Sequence, residues 1–293
     1  MATTGQWLAA TRPRTLPAAI APVIVGWAVA AQTSAQVDTR LAVLAMCVSL
    51  MLQIGVNFSN DYSDGIRGTD AVRVGPVRLV GQGLAPARNV KAAAFLSFGI
   101  AAMAGIGIVI DTEQWWLLAV GALAIISAWF YTGGKNPYGY AGLGEVFVFV
   151  WFGLVAVQGT VVVLHGSATA LGWIYGTGAG ALSCALLVAN NLRDVPTDAA
   201  VGKRTLAVRL GAAKTRWLYV ALIWIALASP ALAMVLGGPW SLCLVLVAAA
   251  SAHKPGWAVI RGATGRDLLP VLAGTGRTLL LWATAIAVAY AIS

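Results

Sequence analysis

Two clusters of Asn and Asp interrupt a chain that is otherwise strongly apolar. Asn57, Asn60, Asp61 and Asp64 stand at i, i+3, i+4 and i+7. If the helix carrying them runs that far, all four share one face. Asn190, Asn191, Asp194 and Asp198 stand at i, i+1, i+4 and i+8, again near one face. Pro196 should end or kink that second helix near Asp194, which leaves Asp198 to the following loop. Asp70 follows the first cluster after Gly65 and Gly68, whose spacing suggests a tight turn. Carboxylates at membrane helix ends are costly unless paired or metal-bound. Two such clusters at one depth therefore point to shared divalent ions. Oxygen donors without Cys or His favour Mg²⁺ over zinc or copper. Mg²⁺ usually completes its shell with water and substrate phosphates. The neighbouring cations suit such a substrate: Arg67, Arg73, Arg78, Lys135, Arg193, Lys203 and Arg204. Cations and Mg²⁺ on a diphosphate stabilise the charge that develops on it as a leaving group.

Other polar residues carry two readings each. Asn57 and Asn190 suit metal ligation or hydrogen bonding between helices. Tyr131, Tyr138 and Tyr140 lie near Lys135, where their ring faces could shield a cation or anchor the helix ends at the interface. Glu145 is a lone acid in an apolar run, a functional candidate or a structural partner of Lys135. Cys47, Cys184 and Cys243 stand alone, and His165 and His253 lie far apart, so neither set suggests a metal or redox centre.

These residues need membrane helices to hold them. Of 293 residues, 59% are hydrophobic and 10% charged, with mean hydropathy +0.82. A soluble domain carries roughly 25% charged residues, so both a soluble enzyme and a disordered chain are poor fits. Apolar segments fall at 16–32, 41–60, 92–110, 115–132, 143–164, 171–192, 217–236, 239–257 and 273–292. That predicts an all-α polytopic protein with nine transmembrane helices and a single membrane-embedded domain over 1–293. The net charge is +9, and with nine spans all of the 19 lysines and arginines except Arg40 fall on the side of the N-terminus. By the positive-inside rule that side, N-terminus included, is cytoplasmic. The long loops, after the second, sixth and eighth segments, lie there too, and long loops tend to carry function. The active site is thus expected to face the cytoplasm from the cell membrane. The likeness of the two acidic clusters, one closing the second segment and one the sixth, suggests two four-helix units followed by a ninth helix.

These motifs make the chain resemble the UbiA-type intramembrane prenyltransferase superfamily. The segments that carry the resemblance are Asn60-Asp61-Tyr-Ser-Asp64, Asp194-x3-Asp198 followed by Gly202-Lys203-Arg204-Thr205, and Tyr131-x3-Lys135. Arg12-Pro-Arg14-Thr-Leu-Pro17, Gln53 to Asp70, Arg73 to Leu79 and Asn190 to Gly211 are most similar to the branch that prenylates 1,4-dihydroxy-2-naphthoate in menaquinone biosynthesis. Many relatives place a further Asp four residues after the position of Asp64; here that position is Gly68, and Asp70 comes two residues later.

The resemblance implies a polyprenyl diphosphate with its tail in a lipid-open groove. It implies Mg²⁺ held by Asn60, Asp61, Asp64, Asp194 and Asp198, with Asn57, Asp70, Asn190 and Asn191 as further oxygen donors. Arg67, Lys135, Arg193, Lys203 and Tyr131 would bind the diphosphate, with Lys135 and the four aspartates of the two motifs in catalytic roles. An allylic cation, sheltered from water, would be attacked by the aromatic ring with loss of CO₂ and diphosphate. Arg73 and Arg78, flanking Gly75-Pro76, with Tyr140 and Glu145, are the candidates for the acceptor. Neither nucleic acid nor a protein partner is implied. The acceptor rests on resemblance alone, so 4-hydroxybenzoate and homogentisate remain alternatives. A secondary transporter would place its charges near the midplane, and a CDP-alcohol phosphotransferase would carry one continuous acidic motif that this sequence lacks.

Overall fold

The structure is a computed structural model that describes residues 2–33, 37–69 and 77–293. Asp70 and Arg73 therefore lie outside the described residues. Among the described residues every regular element is helical. In chain order these are α1 (Thr4–Ala10), α2 (Pro17–Thr33), α3 (Thr39–Arg67), α4 (Ala87–Thr112) and α5 (Leu117–Phe130). There follow α6 (Gly144–His165), α7 (Ala170–Ala200), α8 (Leu206–Val235), α9 (Trp240–Ile260) and α10 (Gly265–Ala291).

Seven helices, α3, α4 and α6 to α10, are long and apolar enough to cross a membrane. The helical segments Thr4–Thr15 and Pro17–Gln32 meet at 53° and qualify together as an eighth span. The chain is a multi-pass membrane protein. The remaining apolar segment, α5, has 14 residues. At 1.5 Å per residue it reaches about 21 Å, short of a hydrocarbon core of roughly 30 Å. Trp115, Trp116 and Trp240 are exposed at helix starts, where an aromatic belt would sit.

Local chemistry sets the ends of the two motif-bearing helices. Asp38 caps α3 by accepting from the amides of Arg40 and Leu41. Thr169 caps α7 through the Gly172 amide, and its carbonyl takes a bond from the Gln158 side chain of α6. Both helices run further than the apolar pattern marks. α3 continues to Arg67 and stops at Gly68, whose φ of 71° suits glycine. α7 passes through Pro196 and ends at Ala200, so Asp198 is helical rather than in a loop. Proline costs that turn one amide donor, and the Thr197 hydroxyl bonds the Asp194 carbonyl one turn back.

Each motif helix packs against the next helix in sequence, α3 on α4 and α7 on α8, while α10 lies against α2 and so brings the first and last spans together. α7 runs through the main core: Tyr175, Leu182, Ala185 and Ala189 are fully buried. Two pairings satisfy buried polar groups there. The Trp282 indole donates to the Ala226 carbonyl, and the hydroxyls of Tyr219 and Thr275 pair at 2.7 Å. A second core, around Phe58, Leu79, Val90 and Phe98, fixes α3, α4 and the segment after residue 76.

α6 contains a π-helical turn at Val150–Val155. There Gly153 meets α7 so closely that a Cβ would stand 2.5 Å from the Gly176 carbonyl and the Gly180 Cα. Gly153→Val is expected to destabilise the protein by about 1–3 kcal/mol through overpacking. A thermal melt in detergent reads this directly.

Candidate active site

A cavity of about 990 Å³ opens among α2 to α7. Its flanks are apolar, with Val48, Ile106, Ile125, Phe147, Trp151 and Val155 among them. Its mouth is polar. Asn57, Asn60 and Asp64 arrive from α3, Asn190, Asn191 and Arg193 from α7, and Arg78 and Lys203 from the following loops. The two Asn/Asp clusters thus meet at one end of one apolar chamber.

Asp64 at the mouth, and Asp194 and Asp198 of α7, which are buried beside it and not themselves on the cavity wall, are each held by a partner. Asp64 accepts from the Tyr140 hydroxyl at 2.8 Å and faces the Arg78 guanidinium at 3.9 Å. Asp194 takes a fork from Arg193, 2.8 Å to Oδ1 and 2.7 Å to Oδ2. Asp198 faces the Lys203 ammonium at 3.8 Å, and the Lys203 amide bonds its carbonyl. Tyr140 joins the halves. Its hydroxyl holds Asp64, its carbonyl accepts from the Arg204 amide, and its ring lies 4.9 Å from the Lys203 ammonium and 5.3 Å from Arg67. Burial, and after it the Asp64 charge, pushes the Tyr140 phenol well above its ordinary pKa, so it remains a donor at neutral pH. Burial raises Tyr138 likewise.

Tyr140→Phe removes one charge-assisted hydrogen bond and keeps the ring under Lys203. Activity should fall about 10-fold, in line with a loss of roughly 1.5 kcal/mol. Tyr140→Leu, which removes the ring as well, should fall further in the same steady-state assay.

The other expected site residues have diverse placements. Asn60 accepts from the Thr132 hydroxyl at 2.7 Å. The Asn57 amide donates to the Thr11 carbonyl and the Thr15 hydroxyl, tying α3 to the turn between α1 and α2. That is the helix-bonding reading of Asn57, although its side chain also borders the cavity. The Asn190 side chain accepts from Arg193, and Asn191 donates to Glu145 at 2.9 Å. Glu145 is thus held by Asn191, not by Lys135 as one reading had it. Arg67 donates to the carbonyls of Thr132 and Gly134, just past the end of α5. Lys135 is exposed and off the cavity wall, whereas Tyr131 lies on it. Asp61 is turned away from the cavity. Its carboxylate accepts from the amides of Leu79 at 2.7 Å and Val80 at 3.1 Å.

Sequence reasoning missed Arg12, Thr132 and Ser183 as residues of the cavity wall. Arg12 has φ 55°, an uncommon conformation for a residue other than glycine. The signals were its place in the segment Arg12 to Pro17 that carries the resemblance and its position before Pro13, which marks a turn without showing where the side chain goes.

The donor chemistry fits a hard divalent cation. Among the described residues no three Asp, Glu, His or Cys side chains gather into a ligating cluster. Mg²⁺, however, needs only one or two protein carboxylates besides water and substrate phosphates. Carboxylate and amide oxygens from two helices, flanked by cations, meet that requirement without any thiolate or imidazole at the mouth.

The UbiA prenyltransferase family model matches residues 19–267, and the chain belongs to that family. It is 51% identical to 1,4-dihydroxy-2-naphthoate octaprenyltransferase of Mycobacterium tuberculosis, over 99% of this chain and 98% of the relative. Identity to the Haemophilus influenzae protein of the same name is 35%, covering 94% and 92% of the two chains. A UbiA homologue from Archaeoglobus fulgidus has the same fold, with TM-score 0.69 and 12% identity over 98% of this chain and 99% of that one. The same homologue, solved with DMAPP and Mg²⁺, gives TM-score 0.67 at 13% identity, over 98% of this chain and 100% of that one.

Proposed function

We propose that the chain transfers a polyprenyl group from polyprenyl diphosphate to 1,4-dihydroxy-2-naphthoate, releasing diphosphate and CO₂ and yielding demethylmenaquinol, the reduced form of demethylmenaquinone, for menaquinone biosynthesis. The observation that carries this reading is the meeting of two Asn/Asp helices and their cations at the mouth of one long apolar cavity. The relatives named for this activity span nearly the whole chain and support the choice of acceptor.

The polyprenyl tail lies along the apolar flanks of α3 to α6, and its diphosphate sits at the mouth. Asn60, Asp64, Asp194 and Asp198 hold Mg²⁺, with Asn190 and Asn191 beside them. When bound, the metal neutralises charge on the departing diphosphate. Arg193 and Lys203 bring cationic donors to the diphosphate oxygens, and Tyr140 keeps Asp64 and Lys203 in register. The allylic C–O bond breaks, and the apolar wall around Trp151 and Phe147 keeps water from the resulting cation. The acceptor ring carbon that bears the carboxylate forms the new C–C bond, and loss of CO₂ from that carbon returns its bonding electron pair to the ring and restores the aromatic ring. Arg78 binds that carboxylate before it leaves. Arg78→Ala should raise the acceptor KM by about 10-fold, the scale of a lost charged contact of roughly 1.5 kcal/mol. Unchanged acceptor kinetics would remove Arg78 from this role.

The chain acts as one membrane-embedded unit of nine helices, with α5 as a short ninth and two four-helix units preceding α10. It sits in the cell membrane with N-terminus and active site on the cytoplasmic side, because that placement puts the basic residues inside. The test is a product assay in detergent with polyprenyl diphosphate and Mg²⁺, offering 1,4-dihydroxy-2-naphthoate or 4-hydroxybenzoate in parallel. Prenylated, decarboxylated naphthoate that disappears with EDTA supports the reading. Prenylated 4-hydroxybenzoate alone replaces the acceptor.

A further inference from the structure

We propose that Asp61 is a positioning residue whose carboxylate clamps the loop that carries Arg78, and so sets this cation for the acceptor carboxylate. The inference deepens the function proposed above and rests on its assignment of Arg78. Position 61 lies about 100° round α3 from position 60, at the edge of the motif face. Asn57, Asn60 and Asp64 all border the cavity; Asp61 does not, and it is 1% exposed.

Its two oxygens take two consecutive amides, Oδ2 from Leu79 and Oδ1 from Val80. A carboxylate facing successive backbone N–H groups is a strong, directional anchor, because such charge-assisted bonds are about twice as strong as neutral ones. Two further features dock the same stretch of chain. The Leu79 side chain is fully buried in the second core, against α3 and α4. Gly65, one turn beyond Asp61, lets the loop approach: a Cβ there would stand 2.5 Å from the Val80 Cβ and 3.1 Å from the Gly81 amide. The next residue back along the loop is Arg78. It is 5% exposed, borders the cavity and faces Asp64. The clamp thus fixes the backbone one residue from the cation. Arg12, also on the cavity wall, is within electrostatic reach of Asp61 and partly balances its buried charge.

The full-length protein in detergent provides the test, through hydrogen exchange of the peptide spanning 77–85 and kinetics with 1,4-dihydroxy-2-naphthoate. Asp61→Ala should expose the Leu79 and Val80 amides to faster exchange and raise the acceptor KM about as much as Arg78→Ala. Binding of farnesyl diphosphate with Mg²⁺ should stay within about two-fold. Asp61→Asn, which retains one acceptor oxygen, should give intermediate values of both. The double variant Asp61→Ala/Arg78→Ala should be no worse than Arg78→Ala alone, since residues acting through one contact are non-additive. Gly65→Ala pushes the loop away while leaving Asp61 intact, and should reproduce the KM effect even if Asp61→Ala folds poorly. Unchanged exchange in Asp61→Ala would overturn the clamp. Loss of Mg²⁺-dependent farnesyl diphosphate binding with the amides still protected would make Asp61 a metal ligand and overturn it too. Faster exchange together with normal acceptor kinetics in Arg78→Ala would instead overturn the assignment of Arg78.

Discussion

Asp64→Asn should lower kcat by about 10²–10³-fold, the scale seen when one preorganised electrostatic contact is lost from an active site. The substitution is close to isosteric. It retains an oxygen for the Tyr140 hydroxyl, which now reaches Asp64 at 2.8 Å, so the fold should survive. What disappears is the negative charge that faces Arg78 and that the proposed function assigns to Mg²⁺. A Mg²⁺ titration separates these two losses. If Asp64 holds the metal, the Mg²⁺ concentration for half-maximal rate rises. If the carboxylate serves only Arg78, that concentration is unchanged and the acceptor KM moves.

Arg193→Ala should have the largest effect on stability, about 3–5 kcal/mol, because it removes the forked cation from a buried pair. The Arg193 and Asp194 side chains are 1% and 2% exposed, and the fork between them is completed by a third bond to Asn190. Arg193→Lys should recover only part of the loss, since an ammonium cannot form both arms of a planar fork. Thermal melts of the three proteins in one detergent check the order: wild type, then Lys, then Ala. An Ala variant as stable as wild type would show that Asp194 does not depend on Arg193 to balance its charge.

Runs of apolar residues placed every helix but the short α1, because in a bilayer the backbone must satisfy itself and only long apolar helices do so. The spacing of Asn60, Asp64, Asn190 and Asn191 then carried them to one mouth, since α3 and α7 are regular where the motifs lie. Three things were beyond reach. Hydropathy fades where a helix leaves the lipid, so the last turns of α3 and α7 looked like loop. Helical spacing gives a face but not the partner beyond its edge, so nothing in the motif showed that Asp61 takes the amides of Leu79 and Val80, from far along the chain. Lys135 was identified from a short motif, and a motif does not say which way a turn throws its side chain; here it goes to the surface.

The shortness of α5 has a consequence for the surrounding lipid. Its 14 residues line one flank of the cavity with Leu117, Gly121, Ile125 and Ala128. A helix about 9 Å shorter than the hydrocarbon thickness creates a hydrophobic mismatch, which a bilayer relieves by thinning around it. The leaflets would be drawn together beside the apolar flank on which, in the function proposed above, the prenyl chain lies. A long isoprenoid dissolved near the midplane then has less distance to climb before its diphosphate reaches the polar mouth. Turnover should therefore depend on acyl-chain length in reconstituted membranes, with thin bilayers favoured over thick ones.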